Sequence, residues 1–228
     1  MAWIADRCAG SATGHAVWLA GAAVLGFLVP YAAVAVALLD RDAFVLVHAL
    51  ASGGYIAWYA RWAGFPAAEL RLNWPLGLGL GALAAAFAVE FVLSQPASPA
   101  PDGLAGAFAL IWLGLVYALI DTALLTILPV YAVWCIARRR DWLRRRPGRL
   151  GTAAVCLGAS LLLTLAYHLG FPEFQGPEVV RPLIGNAVFT LAYILSASPL
   201  APIIAHAALH IAAVLHAHAT SIPLPPHY

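Results

Sequence analysis

Six ionisable side chains lie in stretches otherwise apolar enough for hydrocarbon: His48, Glu90, Asp121, His168, His206 and His210. Titratable groups at that depth are costly and usually face a bundle interior, a cavity or a site. The densest run is Ser198 to His218, SPLAPIIAHAALHIAAVLHAH, with His206, His210, His216 and His218. The spacing of His206 and His210 puts both on one helix face. His218 falls back near that face, and His216 lies off it. With His168 and Asp121 from other stretches, two chemistries are available. A carboxylate and imidazoles can hold and activate a water. The same nitrogens can ligate iron in haem, magnesium in (bacterio)chlorophyll, copper or zinc. For the metal, His168, His206 and His210 are the candidate ligands. The plainer alternative is that each histidine is an interfacial or hydrogen-bonded core group.

These residues need membrane-spanning elements to position them. The chain has 228 residues, 63% hydrophobic and 10% charged, with a mean hydropathy of +0.87. A soluble domain is about 45–50% apolar and about 25% charged. The composition therefore implies an all-α, polytopic transmembrane bundle in a single domain, residues 1–228. All 12 basic residues are arginine, which excludes a retinal Schiff base. They cluster beside the spans, so the net charge of +2 does not indicate nucleic acid. Cys8, Cys135 and Cys156 are scattered and form no zinc or c-type haem signature. Small buried apolar roles are expected for Cys135 and Cys156. No Walker, GxGxxG, HExxH or GxSxG motif occurs.

Hydropathy gives about seven spans: 16–39, 43–62, 75–93, a long run within 104–136, 150–169, 183–197 and 201–216. The first is too long for the apolar core of a cleaved signal and reads as a retained span. Pro30 is expected to kink it. Gly53 and Gly54 in the second are expected to allow close helix approach. A short interfacial segment is expected around 65–72. Glu90 lies near the end of the third span and reads as interfacial. The fourth is too long for one straight crossing and must tilt, bend at Pro129 or protrude. Prolines and serines mark 94–103 as a loop. The run 138–149, RRRDWLRRRPGR, holds seven arginines. Short basic loops are retained in the cytoplasm, so this loop anchors the topology. Alternating crossings put the N-terminus, Arg7, Arg61 and Arg71 inside and the C-terminus, with His227 and Tyr228, outside. The setting is an inner or plasma membrane, and the bilayer is the first partner.

The run SASPLAPIIAHAALH, the segment Thr164-Leu-Ala-Tyr-His168 and the pair Gly185-Asn186 share a further pattern. Residues 121–214 or so resemble the CAAX-protease and bacteriocin-processing family of intramembrane glutamate-type proteases. His206 takes the histidine of its late His-x-x-x-Asn motif, and His210 stands where asparagine is usual. His168 matches the histidine of a Phe-x-x-x-His motif, with Thr164 in the phenylalanine position. The first motif, Glu-Glu-x-x-x-Arg, falls on Asp121, Thr122 and Thr126: one shorter carboxylate remains, and the second acid and the arginine are absent. The resemblance implies a peptidase needing no cofactor, weakened or inactive, acting on a membrane-embedded peptide. Asp121 would be the base, His168 and His206 would hold a water, and His210 would donate to an oxyanion.

Two other readings stand beside it. One is a membrane subunit holding haem, chlorophyll, copper or zinc through its histidines. No second carboxylate is present for a ferritin-like di-iron site. The other is a non-catalytic scaffold or accessory subunit of a larger membrane complex, supported by aromatic and glycine-rich spans. The shared expectation is that Asp121, His168, His206 and His210 line one polar cavity among spans four, five and seven, because each would be costly unpartnered in hydrocarbon.

Overall fold

A computed structural model describes residues 8–220 and 222–226; Arg7, His227 and Tyr228, used in the topology argument, lie outside them. The described residues are mostly helical, with no strand among them. Seven helices are long and apolar enough to cross a membrane: α1 Ala12–Val36, α2 Arg41–Ala63, α3 Trp74–Leu93, α4 Gly103–Arg139, α5 Arg146–Leu169, α6 Pro177–Ser196 and α7 Leu200–Ala217. The chain is an integral membrane protein built as one all-α bundle.

Local chemistry sets the helix ends. Ser11 Oγ accepts from the Gly14 amide at 3.0 Å, and Asp40 accepts from the Ala43 amide at 2.9 Å. Each satisfies an amide that has no partner within the first helical turn. The Ser11 cap starts α1 at Ala12, ahead of the expected Ala16, and so brings His15 into the span. Gly64 closes α2 in the left-handed region at φ 65°, where glycine bears no Cβ penalty. A 3₁₀ turn at Ala67–Arg71 supplies the expected short segment before α3.

The most extensive helix–helix contact is between α3 and α7. Gly77, Gly81, Ala84 and Ala88 form a buried stripe on α3. Opposite lie Ser198, Ala201 and Ala205, all fully buried. A Cβ on Gly81 would sit 3.0 Å from the Ala201 carbonyl oxygen. Small residues give backbones this approach, and van der Waals packing then holds helices together in lipid. Gly53 and Gly54, expected at such a crossing, instead have open space around them.

The long α4 changes its winding twice. Leu110–Tyr117 and Ala123–Ile127 are π-helical, with one α turn between them at Ala118–Thr122. Wider π winding displaces carbonyls from the i→i+4 ladder. Side chains of other spans take them up. The Leu113 carbonyl accepts from His210 Nδ1 at 3.1 Å, and the Leu125 carbonyl accepts from Ser160 Oγ and Asn186 Nδ2. Pro129 stands just after the second π segment, and Pro30 just before a third, Tyr31–Val36, in α1.

Cys135 is not a lone buried thiol: it is disulfide-bonded to Cys8. The neighbouring Ala9 amide donates to the Ala63 carbonyl, and Arg139 donates to the Cys8 carbonyl. The N-terminal segment, the end of α2 and the arginine loop therefore share one face of the bundle. Cys156 is free and buried, as expected.

Candidate functional site

The turn Ala118–Thr122 aims Asp121 into the bundle, where it is 5% exposed. Its partner is His48 of α2, whose Nε2 donates to Asp121 Oδ1 at 2.9 Å. His48 and Ser52 are fully buried, and the Ser52 hydroxyl lies 3.1 Å from His48 Nδ1, one helical turn away. The sequence marks His48 as an intramembrane group but pairs Asp121 with the histidines of α5 and α7. The structure adds a partner from α2, because α2 packs beside this part of α4.

His206 and His210 lie one turn apart on the buried face of α7, meeting edge-on with ring centroids 5.5 Å apart. His210 is held by its bond to the Leu113 carbonyl, and the Tyr117 ring meets it edge-on at 4.9 Å. Since a carbonyl only accepts, His210 Nδ1 carries the proton, and a neutral ring then presents a lone pair at Nε2. His168 Nδ1 donates to the Thr164 carbonyl at 2.8 Å, with the same consequence. His206 packs on Phe189 at 4.9 Å, and its buried Nδ1 has no hydrogen-bond partner among the described residues.

Asp121, His168, His206 and His210 line one cavity of about 180 Å³. Its floor also includes Tyr117 and Tyr167, whose hydroxyls are 2.8 Å apart. Its apolar wall includes Phe87, Phe91, Phe189 and Leu209. Within this group Asp121, His206 and His210 are closest: one ligand atom from each lies within 4.8 Å of the others. His168 faces the same space outside that triad.

Asn186 buttresses the cavity from α6. Its Oδ1 accepts from Thr126 at 2.7 Å. Its Nδ2 donates to Ser160 at 2.8 Å and Thr164 at 2.6 Å. Thr126, implied by the resemblance to stand where an arginine is usual, thus belongs to this network.

The C-terminal tail closes one end. Ile222, Pro223 and Pro225 line the cavity. Arg41 donates to the carbonyls of His218 at 2.8 Å and Pro226 at 3.3 Å. Burial and the Arg41 charge push the His218 imidazole down, against the pull of Asp42. Three polar residues stand elsewhere. Glu90 is exposed on α3, outside the cavity. His216 Nε2 donates to the Gln95 carbonyl at 3.2 Å. His15 is fully buried between the Tyr59 hydroxyl and the Ala9 carbonyl. Comparison with known proteins gives no match: no family model fits the chain, and neither a curated protein nor a solved structure is detectably similar to it.

Proposed function

We propose that this membrane protein hydrolyses a peptide bond of a membrane-embedded substrate, with the Asp121–histidine centre activating a water. The observation that carries the reading is the meeting of Asp121, His168, His206 and His210 on one cavity inside the spans. A buried carboxylate and imidazoles in one small space are the parts that general-base attack on a carbonyl needs. His48 fixes Asp121 through Oδ1, which holds the carboxylate at the cavity wall. The phenylalanine-lined wall suits an apolar substrate segment. The resemblance of residues 121–214 to intramembrane glutamate-type proteases points to the same chemistry. Two departures weaken it. Aspartate is a methylene shorter than glutamate, and a displacement of about an ångström costs on the order of 10²-fold in a positioned site. The second acid and the arginine are absent, so the orienting of Asp121 falls to His48. At about 180 Å³ the space is small for a haem or chlorophyll, since pockets for drug-sized ligands run to roughly 300–1,000 Å³.

The test is turnover of a quenched-fluorescence transmembrane peptide library by purified protein in lipid vesicles. Asp121→Asn and His206→Ala are expected to lower turnover by about 10²-fold or more. Glu90→Gln, outside the cavity, is expected to leave it unchanged. Equal turnover by the unmodified protein and Asp121→Asn would overturn the reading.

A further inference from the structure

We infer that Asp121, His206 and His210 together hold one divalent transition-metal ion of the zinc class. The ion occupies the centre assigned above to hydrolysis, and the inference rests on that reading only for what the ion does, not for its binding.

Three features carry it. The first is geometric. A carboxylate oxygen and two imidazole nitrogens from α4 and α7, all from buried residues, lie within 4.8 Å of one another. Two nitrogens and one oxygen, with the fourth position toward a cavity, is the donor set of three-ligand hydrolytic zinc sites.

The second is the protonation pattern. His210 Nδ1–H donates a hydrogen bond to the Leu113 carbonyl. A ligating histidine almost always anchors its other ring nitrogen this way, on a carbonyl or carboxylate. Asp121 has one oxygen held by His48, and its carboxylate also engages the Tyr167 hydroxyl. His206 is 6% exposed and has an unpartnered Nδ1. The carboxylate and the imidazole lone pairs gathered in this low-dielectric space repel one another, and a cation reverses that sign. The asparagine implied at position 210 by the resemblance would bring an amide donor. A neutral His210 anchored on Leu113 has no donor left to offer, so the oxyanion role fits it poorly and the ligand role fits it well.

The third is His168. It lines the same cavity outside the triad, with its Nδ1 proton on the Thr164 carbonyl and its Nε2 lone pair available. A metal-bound water would pass one proton to His168. The resulting hydroxide would form the new C–O bond at the peptide carbonyl carbon. As the C–N bond breaks, His168 would return that proton to the leaving amine. The sum is one water added and one amide cleaved, with no redox step.

The experiment uses tag-free, full-length protein in detergent, stripped by chelator and titrated with zinc alone by calorimetry, with elemental analysis of the product. One zinc per chain is expected. His206→Ala and His210→Asn should weaken it at least about 10²-fold, and His168→Ala clearly less, because it neither ligates the ion nor anchors a ligand. Cobalt titration of the unmodified protein gives an answer even if a variant fails to fold: intense visible bands of a four-coordinate ion are expected. No stoichiometric zinc or cobalt, or zinc affinity unmoved by His210→Asn in a folded variant, would overturn the inference. Peptide turnover that persists in fully metal-free protein overturns the metal and leaves hydrolysis standing. Stoichiometric zinc lost in the triad variants, with no peptide cleaved, upholds the metal and removes the hydrolase reading.

Discussion

A carboxylate buried among lipid-facing helices needs a partner, and Asp121 has His48 at 2.9 Å, itself backed by Ser52. Removing one member of a buried pair strands the other and costs about 3–5 kcal/mol. His48→Leu is therefore expected to lower unfolding free energy in detergent by that amount. His48→Gln keeps an N–H donor and should lose clearly less. Adding Asp121→Asn to His48→Leu should recover part of the loss, because no charge is then left unpaired; additive losses in that cycle would show that the pair is not coupled. At this scale the sequence is informative about identity and silent about pairing. Imidazoles and carboxylates stand out because apolar spans carry so few. Nothing in the spacing of His48 and Asp121 shows that α2, rather than α5 or α7, brings the partner. His15 escapes for another reason: hydropathy starts the first span at Ala16, whereas the Ser11 cap starts it at Ala12.

Two helices carry the triad, and their placement depends on backbone rather than side-chain pattern. Helix α7 is set by the glycine and alanine stripe of α3. Placing a branched side chain at Gly81 drives it into the Ala201 backbone, 3.0 Å from the new Cβ. Gly81→Leu is expected to cost about 1–3 kcal/mol through overpacking, and to shift the turn that bears His206 and His210. Gly79→Ala, with nothing within 4 Å of the added atom, is the neutral comparison. Equal melting temperatures for the two variants would refute this account of the crossing. Small residues recurring along α3 are readable in the sequence as a packing face, though a similar signal at Gly53 and Gly54 faces open space. The π segments of α4 are not readable. They lie in an unbroken apolar run, and the tertiary contacts that use the displaced carbonyls, His210 on Leu113 and Ser160 on Leu125, come from residues far along the chain. Excess length in α4 is legible; the altered winding around Asp121 is not, because it is a tertiary effect.

Across the whole molecule, two physical arguments about orientation pull against each other. Seven arginines lie in the connection between α4 and α5 and in the helix ends that flank it, and short basic loops stay in the cytoplasm. The Cys8–Cys135 disulfide lies on the same face, since Arg139 of α4 donates to the Cys8 carbonyl. Disulfides persist in oxidising compartments and are rare in the cytosol. Translocating seven guanidinium groups is a cost of insertion, met once and decisively. Reducing a disulfide at the cytosolic face needs only cellular thiols. The arginines should therefore decide, with Cys8 and Cys135 kept as thiols in the cell and joined on exposure to air. The tail beyond α7 then lies on the opposite side. Thr220 reports it well, being exposed and hydrogen-bonded to the Pro96 carbonyl. With the native cysteines replaced by serine, Thr220→Cys is expected to react with a membrane-impermeant maleimide in intact cells. In the unmodified protein, acid quenching followed by alkylation should find both Cys8 and Cys135 reduced. Labelling of Thr220→Cys only after permeabilisation, together with a disulfide trapped in the quenched cells, would reverse the orientation and place the arginine loop outside.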